Sequence, residues 1–187
     1  MTMKILESTR VFRTNIFDVE SATFIPPGQK DTDAITHFRI RTGDWVNVLP
    51  VTSTRHAVLI RQPRIGSETN VLETPGGGVE PGERDMTMAA ARELEEETGL
   101  VSMRILPLAS INPNPAIMTN RCHFFLAMDC QPAAKRKHFP DAQEFISLEV
   151  MPIHELDMAV RQGRVDHGLS ALCIMLAMRY LDQASPK

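Results

Sequence analysis

The chain has few of the features that are typical of secreted proteins, membrane-spanning proteins or proteins with a broad nucleic-acid-binding surface. It has three cysteines, Cys122, Cys130 and Cys173, and an odd, sparse set without paired spacing predicts reduced thiols, as in the cytoplasm. The N-terminus has no apolar signal segment, and the longest apolar tract, around Ala171–Ala177, is too short to span a bilayer. The 20 basic and 23 acidic residues nearly balance, which argues against a broad nucleic-acid surface. We therefore expect a cytoplasmic protein with no nucleic-acid partner and no membrane partner.

Hydrophobic periodicity predicts an α+β chain, a mixed sheet between helices in an α/β/α sandwich. Strand patterns come first, then a helix, then strands, then helices. Asp85 and Gly99 are a suitable N-cap and stop for the first helix. The predicted strands are Trp45–Thr52, His56–Arg61, Val71–Thr74, His123–Met128 and 144–150, and the predicted helices are 85–98, Pro152–Gln162 and one starting near Asp166.

The first 42 residues are less regular and are predicted to form a separate appendage. Pro26, Pro27 and Gly28 mark a turn, and the segments Ala22–Ile25 and His37–Ile40 on either side have the composition of strands that can pair. We therefore divide the chain into 1–42, a set of N-terminal strands, and 43–187, the main domain.

The most informative stretch is the acidic segment at 92–100, Arg-Glu-Leu-Glu-Glu-Glu-Thr-Gly-Leu. On a helix, Glu93, Glu96 and Glu97 share one face, because they stand three and four positions apart. Like charges at this spacing cost about 0.2–0.5 kcal/mol per pair, and acids near a helix C-terminus oppose its dipole. A hard divalent cation such as Mg²⁺ or Mn²⁺ would offset both costs, since these ions prefer carboxylate oxygens. The alternative is a solvated acidic face with Arg92 as its counter-charge.

A glycine-rich loop directly precedes this helix, with the sequence Thr-Pro-Gly-Gly-Gly-Val-Glu-Pro-Gly-Glu at 74–83. Glycine permits backbone conformations that expose carbonyl and amide groups to a ligand, so the loop can bring a carbonyl oxygen and Glu83 towards the acidic face. The combined segment Gly77–Leu100 resembles the Nudix box, G-x5-E-x7-R-E-U-x-E-E-x-G-U, in which U is an aliphatic residue. Its fixed positions are filled by Gly77, Glu83, Arg92, Glu93, Leu94, Glu96, Glu97, Gly99 and Leu100.

The chain departs from the box pattern at one point. Eight residues, 84–91, separate Glu83 from Arg92, whereas the family pattern has seven. We place the extra residue at Arg84, before the N-cap Asp85, which leaves the register of the helix acids unchanged. The insertion therefore bears only on how closely Glu83 approaches the metal site.

The resemblance implies a set of ligands for Mg²⁺ or Mn²⁺. The main ligands would be Glu93 and Glu97, and Glu96 would bind directly or through water. The set would be completed by the carbonyl oxygen of Gly76 and by Glu83.

Three features resemble the branch of the family that acts on ADP-ribose and nucleotide sugars. The run Arg61-Gln62-Pro63-Arg64 is similar to that branch's Arg-Gln-Tyr-Arg segment, with Pro63 departing at the aromatic position. The run from Leu72 to Gly77 is similar to its Leu-Glu-x-Pro-x-Gly entry into the box. A proline also stands fifteen positions after the end of the box, as in ADP-ribose pyrophosphatases; here it is Pro115.

These features imply contacts to the substrate, each with a plainer alternative. Arg64 would bind the diphosphate through its bidentate fork, with Arg61 as a further substrate contact, or Arg61 and Arg64 would both be surface residues. Glu73 would contact the substrate or the metal site, or it would be a structural partner for an arginine. Pro115 would shape a substrate loop, although turns also use prolines freely.

The reaction implied by the resemblance is metal-assisted attack of water on the diphosphate of ADP-ribose or a nucleoside diphosphate sugar. The products would be a nucleoside monophosphate and a sugar phosphate. Glu97 and Glu96 would belong to the catalytic centre, and Arg92 would orient the carboxylates. For the general base, Glu144 matches the branch's Glu-x-Ile segment best, with Asp141 and Glu96 as alternatives. The histidines form no close pair with ligand spacing, so we predict structural or surface roles for them.

Other functions share the same box. One is a sanitising hydrolase for nucleoside triphosphates or dinucleotide polyphosphates, and another is a non-catalytic Nudix domain that binds ADP-ribose. The second usually loses box acids, which are all present here. Many family members dimerise through additional N-terminal strands, so the resemblance also implies a homodimer.

Overall fold

The computed structural model describes residues 3–140, 142 and 145–184, and the chain separates into two compact units. The first unit consists of Met1–Asp44 and Asn112–Arg121, and the second of Trp45–Ile111 and Cys122–Lys187. The segment 112–121 therefore packs with the N-terminal residues, although it lies between two strands of the second unit.

The described part of the first unit forms an antiparallel sheet in the order β1-β2-β3, from Lys4–Arg13, Asp18–Ile25 and Ile35–Arg41. The segments Ala22–Ile25 and His37–Ile40 do lie on paired strands, but they meet only where Ala22 lies opposite His37, because the register places Phe24 opposite Ile35 and Val19 opposite Ile40. Glu20 on the central strand is buried and accepts hydrogen bonds from Arg39 and Arg41. Burial tends to raise the pKa of Glu20, but these hydrogen bonds outweigh it and hold the pKa below its ordinary value.

Within the described residues, the second unit is built on a mixed sheet. Its two central strands, β4 and β10, run parallel to each other. The hydrogen-bonded order is β11-β5-β4-β10-β8, with β6 beside β5, β7 beside β4 and β9 beside β10. The strands are β4 Trp45–Thr52, β5 His56–Arg64, β6 Thr69–Glu73, β7 Gly76–Gly78, β8 Leu100–Val101, β9 Arg104–Ile111, β10 Cys122–Pro132 and β11 Ser147–Pro152.

The helices of the second unit are α1 Met86–Thr98, α2 Leu156–Arg161 and α3 Gly168–Ala184. The predicted N-cap and stop of α1 are confirmed: the Asp85 side chain accepts from the amide of Thr87, and Gly99 ends the helix with a φ of 70°. The helix predicted at Pro152–Gln162 begins instead with a 3-10 turn, Ile153–Glu155, before α2. No helix in the described part of the chain combines the length and apolar character needed to cross a membrane.

Helices cover the sheet on both faces, because β4 is apolar on both sides. Val46 and Val48 pack towards α1, in a cluster with Ala90 and Leu94. Leu49 and Val51 belong to the other cluster, which includes the buried residues of α2 and α3. The predicted mixed sheet between helices is confirmed.

Candidate active site

Helix α1 carries acidic residues on one face, and its small and aliphatic residues pack against the sheet on the other. Ala89, Ala90 and Leu94 are fully buried against the sheet. Glu93 and Glu97 are also buried, with 7% and 6% of their surface exposed. Burying carboxylates is costly unless they are paired or bind a cation, so these two positions need partners of positive charge or N–H donors.

Strand β7 brings the glycine-rich backbone against this acidic face. Gly76–Gly78 pairs antiparallel with Trp45–Asn47. A Cβ atom at Gly77 would lie 2.5 Å from Oε1 of Glu93, and one at Gly76 would overlap the carbonyl oxygen of Val46. Glycine is therefore required at Gly76, where the added atom would meet backbone, whereas at Gly77 it would displace the carboxylate of Glu93.

Arg92 is the counter-charge of the acidic face. Its guanidinium donates to Glu93 at 2.8 Å and to Glu96 at 3.0 Å, and it pairs with Glu83 at 3.3 Å. It also donates to the carbonyl oxygen of Gly78 at 2.9 Å. One side chain thus ties the glycine-rich strand, the loop acid and two helix acids together, as expected for a residue that orients the carboxylates.

The extra residue before the helix is absorbed by the loop. Glu83 still reaches Arg92, and its carboxylate also accepts from the amide of Glu80 at 3.0 Å. Burial tends to raise the pKa of Glu83, but these hydrogen bonds outweigh it and keep the pKa below its ordinary value. The carboxylate is therefore ionised at neutral pH and lies within the same network as the helix acids.

The donor atoms fit a hard divalent cation. The carboxylates of Glu83, Glu93 and Glu96 hydrogen-bond Arg92, and that of Glu97 hydrogen-bonds Gly76 of β7. Carboxylate and carbonyl oxygens are the ligands that Mg²⁺ and Mn²⁺ prefer. The amide of Gly76 donates to Oε2 of Glu97 at 2.7 Å, which fixes that carboxylate. Among the described residues, no three His, Cys, Asp or Glu side chains already stand in metal-ligand geometry, and Arg92 supplies the positive charge.

A cavity of about 470 Å³ opens over this face, a size typical of small-molecule sites. All of its lining residues belong to the second unit. They are the glycines of β7, Glu80, Arg92, Glu93, Glu96 and Glu97, together with Trp45, Asn47, Gln62, Arg64, His167 and Leu169.

The two arginines of β5 have different surroundings. Arg64 lines the cavity, and its Nε and one Nη donate to Glu73 at 2.9 and 2.7 Å. Glu73 is therefore the partner of an arginine, one of the two roles that its position predicts. Arg61 pairs with Glu149 of β11 at 2.7 Å and does not line this cavity, which favours the surface role for Arg61.

The comparisons with known proteins decide the family. The model of the NUDIX domain matches residues 42–169, which is more than half of the chain. The chain belongs to the Nudix family. The family prediction made from the box is confirmed, as is the prediction that the chain is an enzyme.

The relatives share most of their length with this Nudix chain. An ADP-ribose pyrophosphatase of Bacillus subtilis (strain 168) is 29% identical over 92% of this chain and 93% of its own. A methanol dehydrogenase activator of Bacillus methanolicus is 28% identical over 89% and 85%, and the ADP compounds hydrolase NudE of Escherichia coli (strain K12) is 26% identical over 73% and 72%. The crystal structure of an ADP compounds hydrolase superposes with a TM-score of 0.82 at 22% identity, covering 98% of this chain and 96% of that one.

The remaining predicted residues are Pro115 and the three candidates for the general base. Pro115 is exposed and belongs to the segment Asn112–Arg121 of the first unit. Asp141 and Glu144, two of the candidates for the general base, lie outside the described residues. Glu96, the third candidate, is partly buried and bonded to Arg92.

Two contacts of the Nudix helix and its cavity were missed. Arg136 donates to the carbonyl oxygen of Glu96, which places a cation at the helix C-terminus and offsets the unfavourable dipole there. His167, predicted to be structural or at the surface, lines the cavity beside Arg64. Arg136 lies in the basic run Lys135–Lys137, but its distance along the chain from α1 gives no indication of this contact.

Replacing Gly76 by alanine is expected to lower the free energy of unfolding by about 1–3 kcal/mol, the usual cost of forcing a side chain into a packed site. The added Cβ would overlap the backbone carbonyl of Val46, which cannot move without breaking the pairing of β7 with β4. Urea denaturation measures the change. Gly78→Ala is the matched control, since a Cβ there meets nothing within 4 Å; equal stability of the two variants would contradict the close-approach argument.

Proposed function

We propose that the chain hydrolyses the diphosphate bond of ADP-ribose or a nucleoside diphosphate sugar, with Mg²⁺ or Mn²⁺ as its cofactor. The products are a nucleoside monophosphate and a sugar phosphate. The observation that carries the proposal is one cavity whose wall contains both the complete acidic face of the box and the guanidinium of Arg64. The names of the relatives, an ADP-ribose pyrophosphatase and an ADP compounds hydrolase, support the same substrate class.

The side chains of this site divide the work between holding the cation and holding the substrate. Glu93 and Glu97 would be the principal metal ligands, assisted by Glu96, Glu83 and the carbonyl oxygen of Gly76. When bound, the cation neutralises phosphate oxygens and lowers the pKa of the attacking water. Arg92 keeps the carboxylates in place through its hydrogen bonds to them.

The substrate's diphosphate lies within reach of Arg64 in this proposal. The bidentate bond with Glu73 fixes the plane of its guanidinium, and a fixed guanidinium binds phosphate oxygens with little loss of side-chain entropy. A carboxylate accepts the proton of the attacking water, and Glu144, Asp141 and Glu96 are the candidates. Pro115 is proposed to shape a loop at the substrate.

A phosphate-release screen tests the proposal. The purified chain is incubated with Mg²⁺ or Mn²⁺ and with ADP-ribose, nucleotide sugars or diadenosine polyphosphates, and a coupled phosphatase releases phosphate from monophosphate products. Nucleoside triphosphates are assayed in parallel without the phosphatase. Turnover of ADP-ribose or a nucleotide sugar that EDTA stops is the expected result. Turnover of triphosphates alone would overturn the substrate class, and tight binding of ADP-ribose without turnover would indicate a non-catalytic binding domain.

We also propose that the chain is a homodimer that covers strand β1 with a second copy. Every residue of β1 is exposed, including the apolar side chains of Ile5, Leu6, Val11 and Phe12. β1 is an edge strand of its sheet in the described residues, and an open apolar edge is a template for pairing with another chain. Two identical edges satisfy each other in a two-fold arrangement.

Light scattering coupled to size-exclusion chromatography measures this association. We expect the mass of a dimer for the wild type and that of a monomer for Phe12→Glu, which places a charge in the apolar edge. Met103→Glu is the control, because Met103 is fully exposed in the second unit. A monomeric wild type would refute the dimer.

A further inference from the structure

His167 occupies a fixed position at the start of α3. Its carbonyl oxygen accepts the first helical hydrogen bond, from Ala171. Its Nδ1 lies 2.9 Å from the hydroxyl of Ser170 and 3.6 Å from Oε2 of Glu73. The imidazole also lines the cavity that holds the Nudix carboxylates. One edge of the ring is therefore engaged by protein groups, while the ring borders the space where the substrate is proposed to bind.

The partners of the ring are themselves fixed. The Ser170 hydroxyl, which is fully buried, accepts from the amide of Thr74 at 3.0 Å. Thr74 in turn donates to the amide oxygen of Asn47 at 3.0 Å. Glu73 is held by both hydrogen bonds of Arg64. A chain of buried polar groups with satisfied hydrogen bonds holds side chains in one arrangement, so the imidazole has a defined orientation.

The charges around the ring favour a neutral imidazole with its proton on Nδ1. Burial lowers the pKa of His167 most, Glu73 opposes this, Arg64 lowers the pKa further and Asp166 raises it, and the pKa lies below its ordinary value. The carboxylate of Glu73 on the Nδ1 side stabilises a proton at that nitrogen. Nε2, on the other edge of the ring, then carries a lone pair that accepts a hydrogen bond.

A second polar side chain, that of Gln62, borders the same cavity. Gln62 is 6% exposed and lines the cavity, yet its side-chain amide makes no hydrogen bond to any of the described residues. Gln62 and Arg64 stand two positions apart on β5, so their side chains project from the same face. The amide atoms of Gln62 are not among the buried unpartnered atoms of the described residues, so they are accessible in the cavity and a bound ligand can replace the water that hydrogen-bonds them.

We propose that His167 and Gln62 form a subsite for the hydroxyl groups of a sugar in the substrate. The inference rests on the proposed function and extends it to the choice of substrate. Nε2 of His167 accepts a hydrogen bond from one sugar hydroxyl, and the amide of Gln62 donates to and accepts from neighbouring hydroxyls. Neither residue takes part in the chemical step, so the subsite sets affinity and selectivity and leaves the rate of hydrolysis at saturation unchanged.

The test compares ADP-ribose with analogues that lack a single ribose hydroxyl. His167→Phe and Gln62→Leu are expected to raise the KM for ADP-ribose roughly tenfold, the size of one neutral hydrogen bond, with kcat nearly unchanged. Each variant should also lose the wild type's preference for ADP-ribose over one deoxy analogue, since the residue and that hydroxyl form a single contact. His167→Gln, which again offers an acceptor, should recover part of the affinity.

His154→Phe is the control for a histidine replaced at an exposed position of the same unit, and thermal unfolding confirms that each variant is folded. Variants with the same KM and the same preference as His154→Phe would overturn the subsite while leaving the hydrolase function intact. Should the wild type hydrolyse no sugar conjugate, the proposed function fails. Calorimetric binding of ADP-ribose in EDTA then decides the subsite alone: weaker binding by the variants supports it, and equal or absent binding refutes it.

Discussion

Replacing Glu97 by glutamine should reduce kcat/KM by roughly a hundredfold to a thousandfold, because the charge stabilisation that a bound cation provides is worth several kcal/mol. Glu97 is buried beside the glycine-rich strand, and the amide of Gly76 holds one of its oxygens. Glutamine keeps an oxygen that can accept from that amide, so the fold should be retained. It removes the negative charge, so affinity for Mn²⁺ should fall together with activity.

The matched control is Glu95→Gln, the same change on the same helix. Glu95 accepts from the amide of Lys137 and lies near His138, and it does not line the cavity. Steady-state kinetics and Mn²⁺ titration of both variants separate loss of a ligand from loss of helix stability. Full activity of Glu97→Gln would refute the prediction that Glu97 binds a metal ion needed for catalysis.

The elements that the sequence predicts well are those whose pattern is local. β4 has a run of buried apolar residues, and α1 has an apolar face over thirteen residues, with a cap before them and a stop after them. β7 is different, because three glycines have no side-chain pattern and the strand is defined by pairing with β4. β9 contains Pro107, which normally argues against a strand. It is tolerated here because, among the described strands, β9 pairs only with β10 and the register shifts at that position.

The residues of the site could likewise be predicted where they are close together in the sequence, but not where they are far apart. The carboxylates of the box could be predicted because consecutive turns of one helix carry them, so their register follows from spacing alone. Arg136 contacts the helix from forty positions away, and His167 and Ser170 reach Thr74 and Glu73 from about a hundred residues further along the chain. Nothing in the spacing of these residues reports such contacts, because the path of the sheet creates them.

Replacing Arg64 by methionine should lower the free energy of unfolding by about 3 kcal/mol, since breaking a buried ion pair by removing one partner leaves an uncompensated charge. The two partners are unequally buried: Glu73 is 2% exposed, whereas the Arg64 side chain is 45% exposed. Removing Arg64 therefore leaves a carboxylate that water cannot reach. Glu73→Gln leaves a guanidinium that water can solvate, so we expect a smaller cost of about 1–2 kcal/mol.

The pKa of His167 reports on the Arg64–Glu73 pair in a way that the free energy of unfolding cannot. Arg64 lowers and Glu73 raises the pKa of His167. The pKa should therefore rise in Arg64→Met and fall further in Glu73→Gln, which NMR of the imidazole proton measures. Arg61→Met on the same strand is the control, because the Arg61–Glu149 pair is half-exposed and such pairs contribute about 0–1 kcal/mol. Equal destabilisation by the two arginine variants would contradict the prediction that the buried carboxylate of Glu73 depends on Arg64 for its compensation.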